Sequence, residues 1–345
     1  MNYSPIAQKI LRIITRSRKN LRDLSSRQWT LSPAQELTAP PAIWLPDDLD
    51  RVTAVMEDTN MAQEMARIHG GPTRHAATTA YEIKKCSILD GSIFKGPCRL
   101  PLTKQKPRLI MEDATETIPA ASLASTYYGS FYFGHWMTDD LTLQLAAESN
   151  GNAVSITRKQ YGHEPGYCEL LGFERRFVTN VRFDSLTVFE DIGQNASKRD
   201  RYLELRGRLE RAVKPAGNAR VYIRRGTQGA ARNLRNAEEI ENWLAAQGFV
   251  FVEPENATPA QIVQALSGAQ LVLGLEGSHM VHCLFTMATA GTLCLLQPPY
   301  RFNNVLKNYT DCLGMRYSFV TGTEAEGGFI VSLDHLQRLL DLLNV

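Results

Sequence analysis

The stretch Leu271-Val-Leu-Gly-Leu-Glu-Gly-Ser-His-Met-Val-His-Cys-Leu-Phe285 admits few folds. It opens as a short apolar run, passes through Gly274, Gly277 and Ser278, and re-emerges with apolar residues at helical spacing. That order predicts a buried strand, a tight turn and a helix. A helix starting near Ser278 aims unpaired backbone N–H groups and the positive end of its dipole at the turn, which suits a phosphate or diphosphate. The glycines let the backbone approach such an anion closely. An ordinary βα junction with no ligand has the same spelling, and both readings stand.

The surrounding sequence supports the strand–helix alternation. Arg220-Val-Tyr-Ile-Arg224, Phe249-Val-Phe-Val252, Leu271-Val-Leu273 and Thr292-Leu-Cys-Leu-Leu296 read as strands. Between and after them, Asn236–Gln247, Pro259–Ser267, the residues from Ser278 and Leu333–Leu343 read as helices. Such alternation predicts a parallel sheet covered on both faces. Ligands of these sheets sit beyond the carboxyl ends of the strands. Arg224-Arg225-Gly226, Glu276-Gly277-Ser278 and Gln297-Pro-Pro299 would converge there.

Upstream, Cys86-Ser-Ile-Leu89, Ser92-Ile-Phe94, Arg108-Leu-Ile-Met111, Ala153-Val-Ser-Ile156 and Leu186-Thr-Val-Phe189 read as strands. Tyr132–Ala147, Tyr167–Leu171 and Arg199–Val213 read as helices, the last ended by Lys214-Pro-Ala-Gly-Asn218. Leu31–Asp50 is Pro-rich and polar and reads as a linker or irregular arm. Before it, Lys9, Arg12, Arg16, Arg18, Lys19 and Arg22 all precede the first acid, Asp23, while Ile6, Ile10, Ile13 and Ile14 form a stripe that Leu21 and Leu24 continue. Residues 1–28 therefore either lie on an anionic membrane surface or pack their stripe on the protein body. No apolar run there is long enough for a signal peptide or a span.

Composition narrows the class. A chain of 345 residues, 43% hydrophobic, can bury one large core or two smaller ones. A net charge of +2, with no zinc-finger, homeodomain-like or RNA-binding signature, gives no reason to expect nucleic acid. The six cysteines are scattered without a CxxC pair, which fits reduced core thiols of a cytoplasmic protein.

Three blocks, in order, resemble glycosyltransferase family 61, which includes bacterial capsule-type enzymes, plant xylan-decorating enzymes and animal protein O-glycan enzymes. Phe133-Gly-His-Trp-Met-Thr-Asp-Asp-Leu141 is similar to the family's HW-(apolar)-x-D-x-L helix. Arg220–Arg225, followed by Arg235-Asn-Ala-Glu-Glu-Ile240 and Gly248-Phe249, is similar to its basic block before GF. Ala269–Phe285 matches its Gly-rich block, although Glu276 stands where many members have His, and His282 where Asn is usual. In the second block the acid after Asn236 is displaced to Glu238 or Glu239.

The resemblance implies an α/β fold of GT-B type, with two facing Rossmann-like domains. On that reading residues 1–50 are the basic helix and arm, 51–205 the acceptor-side domain and 206–345 the nucleotide-sugar-binding domain. The last helix is free to pack back on the N-terminal domain. The activity implied is inverting, metal-independent transfer from a nucleoside-diphosphate sugar, UDP before others, to a glycan or lipid-linked glycan of polysaccharide biosynthesis. No cofactor is needed beyond that co-substrate. The expected location is cytoplasmic, either free or peripheral on the inner membrane face.

Chemistry assigns candidate roles. Histidine is the side chain suited to proton transfer near neutral pH, and His135 shares a helical face with Asp139, with Asp140 beside it, so His135 or Asp139 is the candidate base and the other its partner. Core packing of His135-Trp136 is the alternative. Arg224, Arg225 and Arg235 can neutralise a departing diphosphate, with Arg224 and Arg235 preferred. Asn236, Gly277, Ser278, His279 and His282 complete the candidate donor set, although His282 equally fits a core position. Glu276 would either accept from sugar hydroxyls or orient an arginine. Asp48-Leu-Asp50 spells the DxD of metal-dependent transferases, but its place before any nucleotide-binding unit suggests a helix N-terminal charge cluster. A second class of function stays open, a non-catalytic nucleotide- or sugar-binding member of a glycan assembly complex. His135→Ala discriminates the two, since only an enzyme loses turnover while keeping donor binding.

Overall fold

A computed structural model describes residues 5–16, 18–106, 108, 114–227 and 232–344. The expected strand at 108–111 lies, apart from Arg108, outside them. The architecture is mixed α/β, in two compact units. The first comprises Met1–Gln35, Ala76–Cys168 and Gly172–Arg201; the second comprises Glu36–His75, Glu169–Leu171 and Tyr202–Val345.

The first unit is built on an eight-stranded sheet. Its order is Cys98–Pro101, Ser92–Lys95, Thr78–Leu89, Val181–Glu190, Glu116–Leu123, Ala153–Ile156 and Arg176–Val178, with Arg27–Ser32 also paired to Thr78–Leu89. Val181–Glu190 runs antiparallel to Thr78–Leu89 and parallel to Glu116–Leu123. The sheet is therefore mixed, where a Rossmann-like domain would be wholly parallel. A helical run from Phe133 to Ser149 carries the chain from Glu116–Leu123 to its parallel neighbour Ala153–Ile156, making a βαβ unit. Ile83, Ile88, Ile118, Leu123, Val154, Phe183 and Leu186 form the core.

Leu21 is buried in this core and Leu24 packs against it. The upstream part of the stripe behaves differently. In the helix Pro5–Thr15, Ile13 and Ile14 are 75% and 73% exposed, and Ile10 is also exposed. Lys9, Arg12, Arg16, Arg18 and Lys19 are exposed as well.

The second unit holds the expected parallel sheet, five strands in the order Val250–Val252, Arg220–Ile223, Leu271–Leu275, Thr292–Gln297 and Arg316–Thr321. Every residue of Leu271–Leu275 is buried, as a central parallel strand requires. Helix Pro259–Leu266 starts on a Thr258–Gln261 capping box with Pro259 in its first turn. Helix Val305–Leu313 stops at Gly314, whose φ of 74° is left-handed. The terminal helix Leu333–Leu343 buries Leu336, Leu339, Leu340 and Leu343 in the core that Leu271, Leu273 and Leu296 share.

Leu31–Asp50 is not an irregular arm: it holds the end of strand Arg27–Ser32, the strand Gln35–Ala39 and most of the turn Pro46–Arg51. Gln35–Ala39 pairs with Gly71–His75, and Leu45 enters the second core. Asp48 is buried in the 3-10 turn Pro46–Arg51, where it accepts from Leu45 N (2.9 Å) and Thr321 N (2.7 Å) and bonds His335 Nε2 (3.0 Å). Its carboxylate is thus engaged in local structure. All six cysteines are free thiols, and five of them (Cys86, Cys98, Cys283, Cys294 and Cys312) are buried. Among the described residues no helix is long and apolar enough to cross a membrane.

Candidate functional site

In the first unit the candidate base sits where the helical run changes pitch. One α-turn, Phe133–His135, passes into a π-turn, Trp136–Asp140, before the α-helix Leu141–Ser149. Hydroxyls bond back along this stretch, Thr138 Oγ1 to Gly134 O (3.1 Å) and Thr142 Oγ1 to Thr138 O (3.0 Å). Single π-turns inside helices are frequent at functional sites.

The two adjacent aspartates point to different partners. Asp139 Oδ2 lies 2.8 Å from His135 Nδ1, and its Oδ1 accepts from Lys198 Nζ at 3.0 Å. Burial pushes Asp139 toward its neutral form, but the Lys198 ammonium and His135 outweigh it and hold the carboxyl below its usual range. The remaining imidazole nitrogen, Nε2, has no partner among the described residues. Asp140 Oδ1 instead accepts from Thr126 N (2.9 Å) and Thr126 Oγ1 (2.7 Å). Burial raises its carboxyl to about 7, against the Thr126 hydrogen bonds. A Cβ at Gly129 would run into that carboxylate, so only glycine fits the turn there.

Lys198 is the residue that sequence reasoning missed. It stands in the first turn of the helix Ala196–Ala212, fully buried, and also donates to Asp191 O (3.0 Å) and Asp191 Oδ2 (3.3 Å). Asp191 is held in turn by both Nη atoms of Arg201 (2.8 and 2.7 Å) and by Thr78 Oγ1 (2.7 Å). Burial disfavours the Lys198 charge, yet Asp139 and Asp191 raise its pKa above the usual value. The buried charges are therefore paired throughout, as a low-dielectric interior requires. The available signal was Asn195, whose Oδ1 accepts from Lys198 N (3.2 Å) as a helix cap.

In the second unit three neighbouring parallel strands release their chains on the same side. The loops after Arg220–Ile223, Leu271–Leu275 and Thr292–Gln297 bring together Arg225, Glu276, His279 and Arg301. Glu276 accepts from Arg301 Nη1 (2.9 Å) and Asn303 Nδ2 (2.9 Å), and pairs with Arg232 Nε at 2.7 Å. Glu276 thus contacts two arginines, Arg232 and Arg301. Burial draws Arg232 down to about 10, with Glu276 working the other way.

Burial, with Arg225 and Arg232 beside it, pushes His279 down to about 3, so its imidazole is neutral across the physiological range. His279 Nδ1 faces Arg225 Nη1 at 3.5 Å, and its buried Nε2 has no partner among the described residues. Gly277, at φ 155°, lies against Arg225, where a Cβ would collide with the guanidinium.

Other candidates are placed elsewhere. Arg224 is paired with Glu241 (2.8 Å) and lies 4.9 Å over the Phe251 ring. The Arg235 side chain is exposed, and Asn236 exchanges hydrogen bonds with the backbone of Val331 (Nδ2 to O 2.8 Å, N to Oδ1 3.1 Å). His282 is buried. Ser278 is exposed, and the helical turns it opens end at Leu284, shorter than expected for a strong dipole. Arg232 and Arg301, rather than Arg224 or Arg235, are the arginines paired with Glu276. Arg301 lies two residues beyond the Gln297-Pro-Pro299 segment that drew attention in the sequence.

Residues 133–294 match the family model described as Glycosyltransferase 61. The region belongs to glycosyltransferase family 61. No curated protein matches the chain. The family-61 region opens two residues before His135 and closes within the strand Thr292–Gln297, so it spans His135, Asp139, Lys198, Arg225, Arg232, Glu276 and His279. Arg301 and the turn at Thr126–Ser130 lie outside it. Membership supports glycosyltransferase activity, with sugar donor and acceptor substrates.

Proposed function

We propose that the chain is an inverting, metal-independent glycosyltransferase. It moves a sugar from a nucleoside-diphosphate donor, UDP before others, to a glycan or lipid-linked glycan in polysaccharide assembly such as a capsule. The observation that carries this reading is the His135–Asp139–Lys198 chain, which engages Nδ1 and leaves Nε2 for a hydroxyl. The acceptor oxygen attacks the anomeric carbon while its proton passes to His135 Nε2. The bond from that carbon to the diphosphate oxygen breaks, and the electron pair leaves with the nucleoside diphosphate. Asp139, kept ionised by Lys198, steadies the imidazolium that forms.

The leaving diphosphate needs positive charge, and Arg225, Arg232 and Arg301 supply it without a divalent ion. Glu276 orients two of them and does not itself meet the phosphate. The neutral His279 offers Nε2 to a donor oxygen. A GT-B organisation, with the donor held by the second unit, is the finer part of the proposal. It draws on the parallel sheet whose carboxyl ends carry these residues. Location at the cytoplasmic face of a membrane draws on the exposed Ile10, Ile13 and Ile14 among basic residues.

Thermal shift and calorimetry with UDP, GDP, CMP and their sugars, with and without EDTA, test the reading. Stabilisation by one nucleotide class that survives EDTA and is lost in Arg232→Ala supports it. If no nucleotide changes the melting temperature, the enzyme reading gives way to a non-catalytic glycan-binding protein.

A further inference from the structure

Next to His135 the chain exposes rings that its core does not use. Tyr128 is 54% and Tyr132 44% exposed, although single exposed aromatics normally stand alone on a surface. Here they belong to one cluster. Phe131 lies 4.6 Å from Tyr132 and 5.8 Å from Tyr128, and Tyr127 packs edge-on against both Tyr128 (5.5 Å) and Phe131 (5.0 Å). The His135 ring completes it, 5.3 Å from Tyr128 and 6.0 Å from Tyr132. Lys104 Nζ lies over two of these rings, 4.0 Å from the Phe131 centroid and 5.3 Å from that of Tyr132, and both tyrosines still keep about half of their surface open.

The turn that carries these rings is fastened at several points. Thr126 is tied to the buried Asp140, Gly129 N donates to Thr126 Oγ1 (2.9 Å), and Tyr161 Oη donates to Gly129 O (3.1 Å). Tyr132 N donates to Tyr128 O (2.9 Å) and Trp136 N to Tyr132 O (3.0 Å), which locks the turn to the helix holding His135. Rings fixed in advance bind without a further ordering cost.

We propose that Tyr128 and Tyr132 form the acceptor platform, a pair of tyrosine faces that stack a pyranose ring and present its hydroxyl to His135 Nε2. The occupant is a carbohydrate. A pyranose has an apolar C–H face matching a tyrosine ring and an equatorial rim of hydroxyls matching phenol oxygens and an imidazole nitrogen. An acyl chain would leave those polar groups unsatisfied. The inference rests on His135 being the base, and it places the acceptor sugar in the first unit by chemistry independent of donor binding.

The test uses the full chain. It is passed over an array of neutral and acidic oligosaccharides, and the best-retained one is titrated by calorimetry into wild type, Tyr128→Ala, Tyr132→Ala and Tyr128→Phe. UDP is titrated into each variant in parallel. The expected result is an oligosaccharide Kd raised about fivefold or more in each alanine variant, a smaller rise in Tyr128→Phe, which keeps the ring face and loses the phenol oxygen, and unchanged melting temperatures. Unchanged oligosaccharide affinity in both alanine variants overturns the platform, and so does an array that retains nothing. The UDP arm separates the two readings. A chain that binds the oligosaccharide through these tyrosines but ignores every nucleotide keeps the platform and loses the transferase.

Discussion

His135 reaches Lys198 through a single carboxylate, so substitutions along that line have separable effects. His135→Ala is expected to lower transfer by ~100-fold or more while leaving the nucleotide-induced melting shift intact, measured by product formation and calorimetry. Lys198→Met is expected to destabilise the protein by ~3–5 kcal/mol in urea titrations, because Asp139 and Asp191 would keep buried charge without their shared cation. Asp140 acts in the opposite electrostatic sense. Its carboxyl titrates at about 7 in the fold against 3.8 as a free side chain. Between those values the native state holds a proton that the unfolded state has released, so stability falls as pH rises through this window. The melting temperature of Asp140→Asn should therefore change less between pH 5 and 8 than that of wild type. A parallel pair of curves would show that Asp140 does not titrate there. The His135–Asp139 pair was legible because neighbours four apart on a helix meet. Lys198 was not legible, since its partnership spans 59 positions and depends on how one helix packs against another.

At the scale of elements, period and punctuation located four of the five strands of the parallel sheet and the helices Ala237–Ala246, Pro259–Leu266 and Leu333–Leu343 within two residues, but not Met61–His69, Val305–Leu313 or Arg316–Thr321. Glu116–Leu123 escaped for a physical reason. Pro119 argues against a strand that pairs on both sides. Here the proline precedes Ser122 and Leu123, the residues that pair with Ala153–Ile156, so no bond is forfeited on that flank. The π-turn was equally hidden, because the aspartates of Phe133–Leu141 have the same spacing in a regular α-helix. The turn at Gly277 provides a test at this scale. Gly277→Ala must both hold a left-handed φ and displace Arg225, and should cost ~1–3 kcal/mol of stability. Its UDP-induced melting shift should shrink along with it. A variant that melts earlier but keeps the full UDP shift would remove Arg225 from the nucleotide site.

For the molecule as a whole, the segment 36–75 shows what local reading cannot supply. Its partners, Ser318, Phe302 and Asn304, lie some 240 or more residues away, and nothing in its Pro-rich composition indicates them. The N-terminal helix poses the remaining question at this scale. Flotation on anionic phosphatidylglycerol vesicles should carry the wild-type chain at low salt, and Ile13→Asp with Ile14→Asp should abolish it. Equal flotation of the double variant would assign the exposed isoleucines to another partner. The thiols offer one more use. Cys86 in the first unit and Cys283 and Cys294 in the second are pushed up to about 12 by burial, so an alkylating reagent at neutral pH meets almost no thiolate until the surrounding structure opens. Each sulfur is thus a timer set within its own unit. Mass spectrometry of pulse-alkylated peptides would read, from one sample and without any introduced label, whether the two halves of the chain breathe together or on separate clocks.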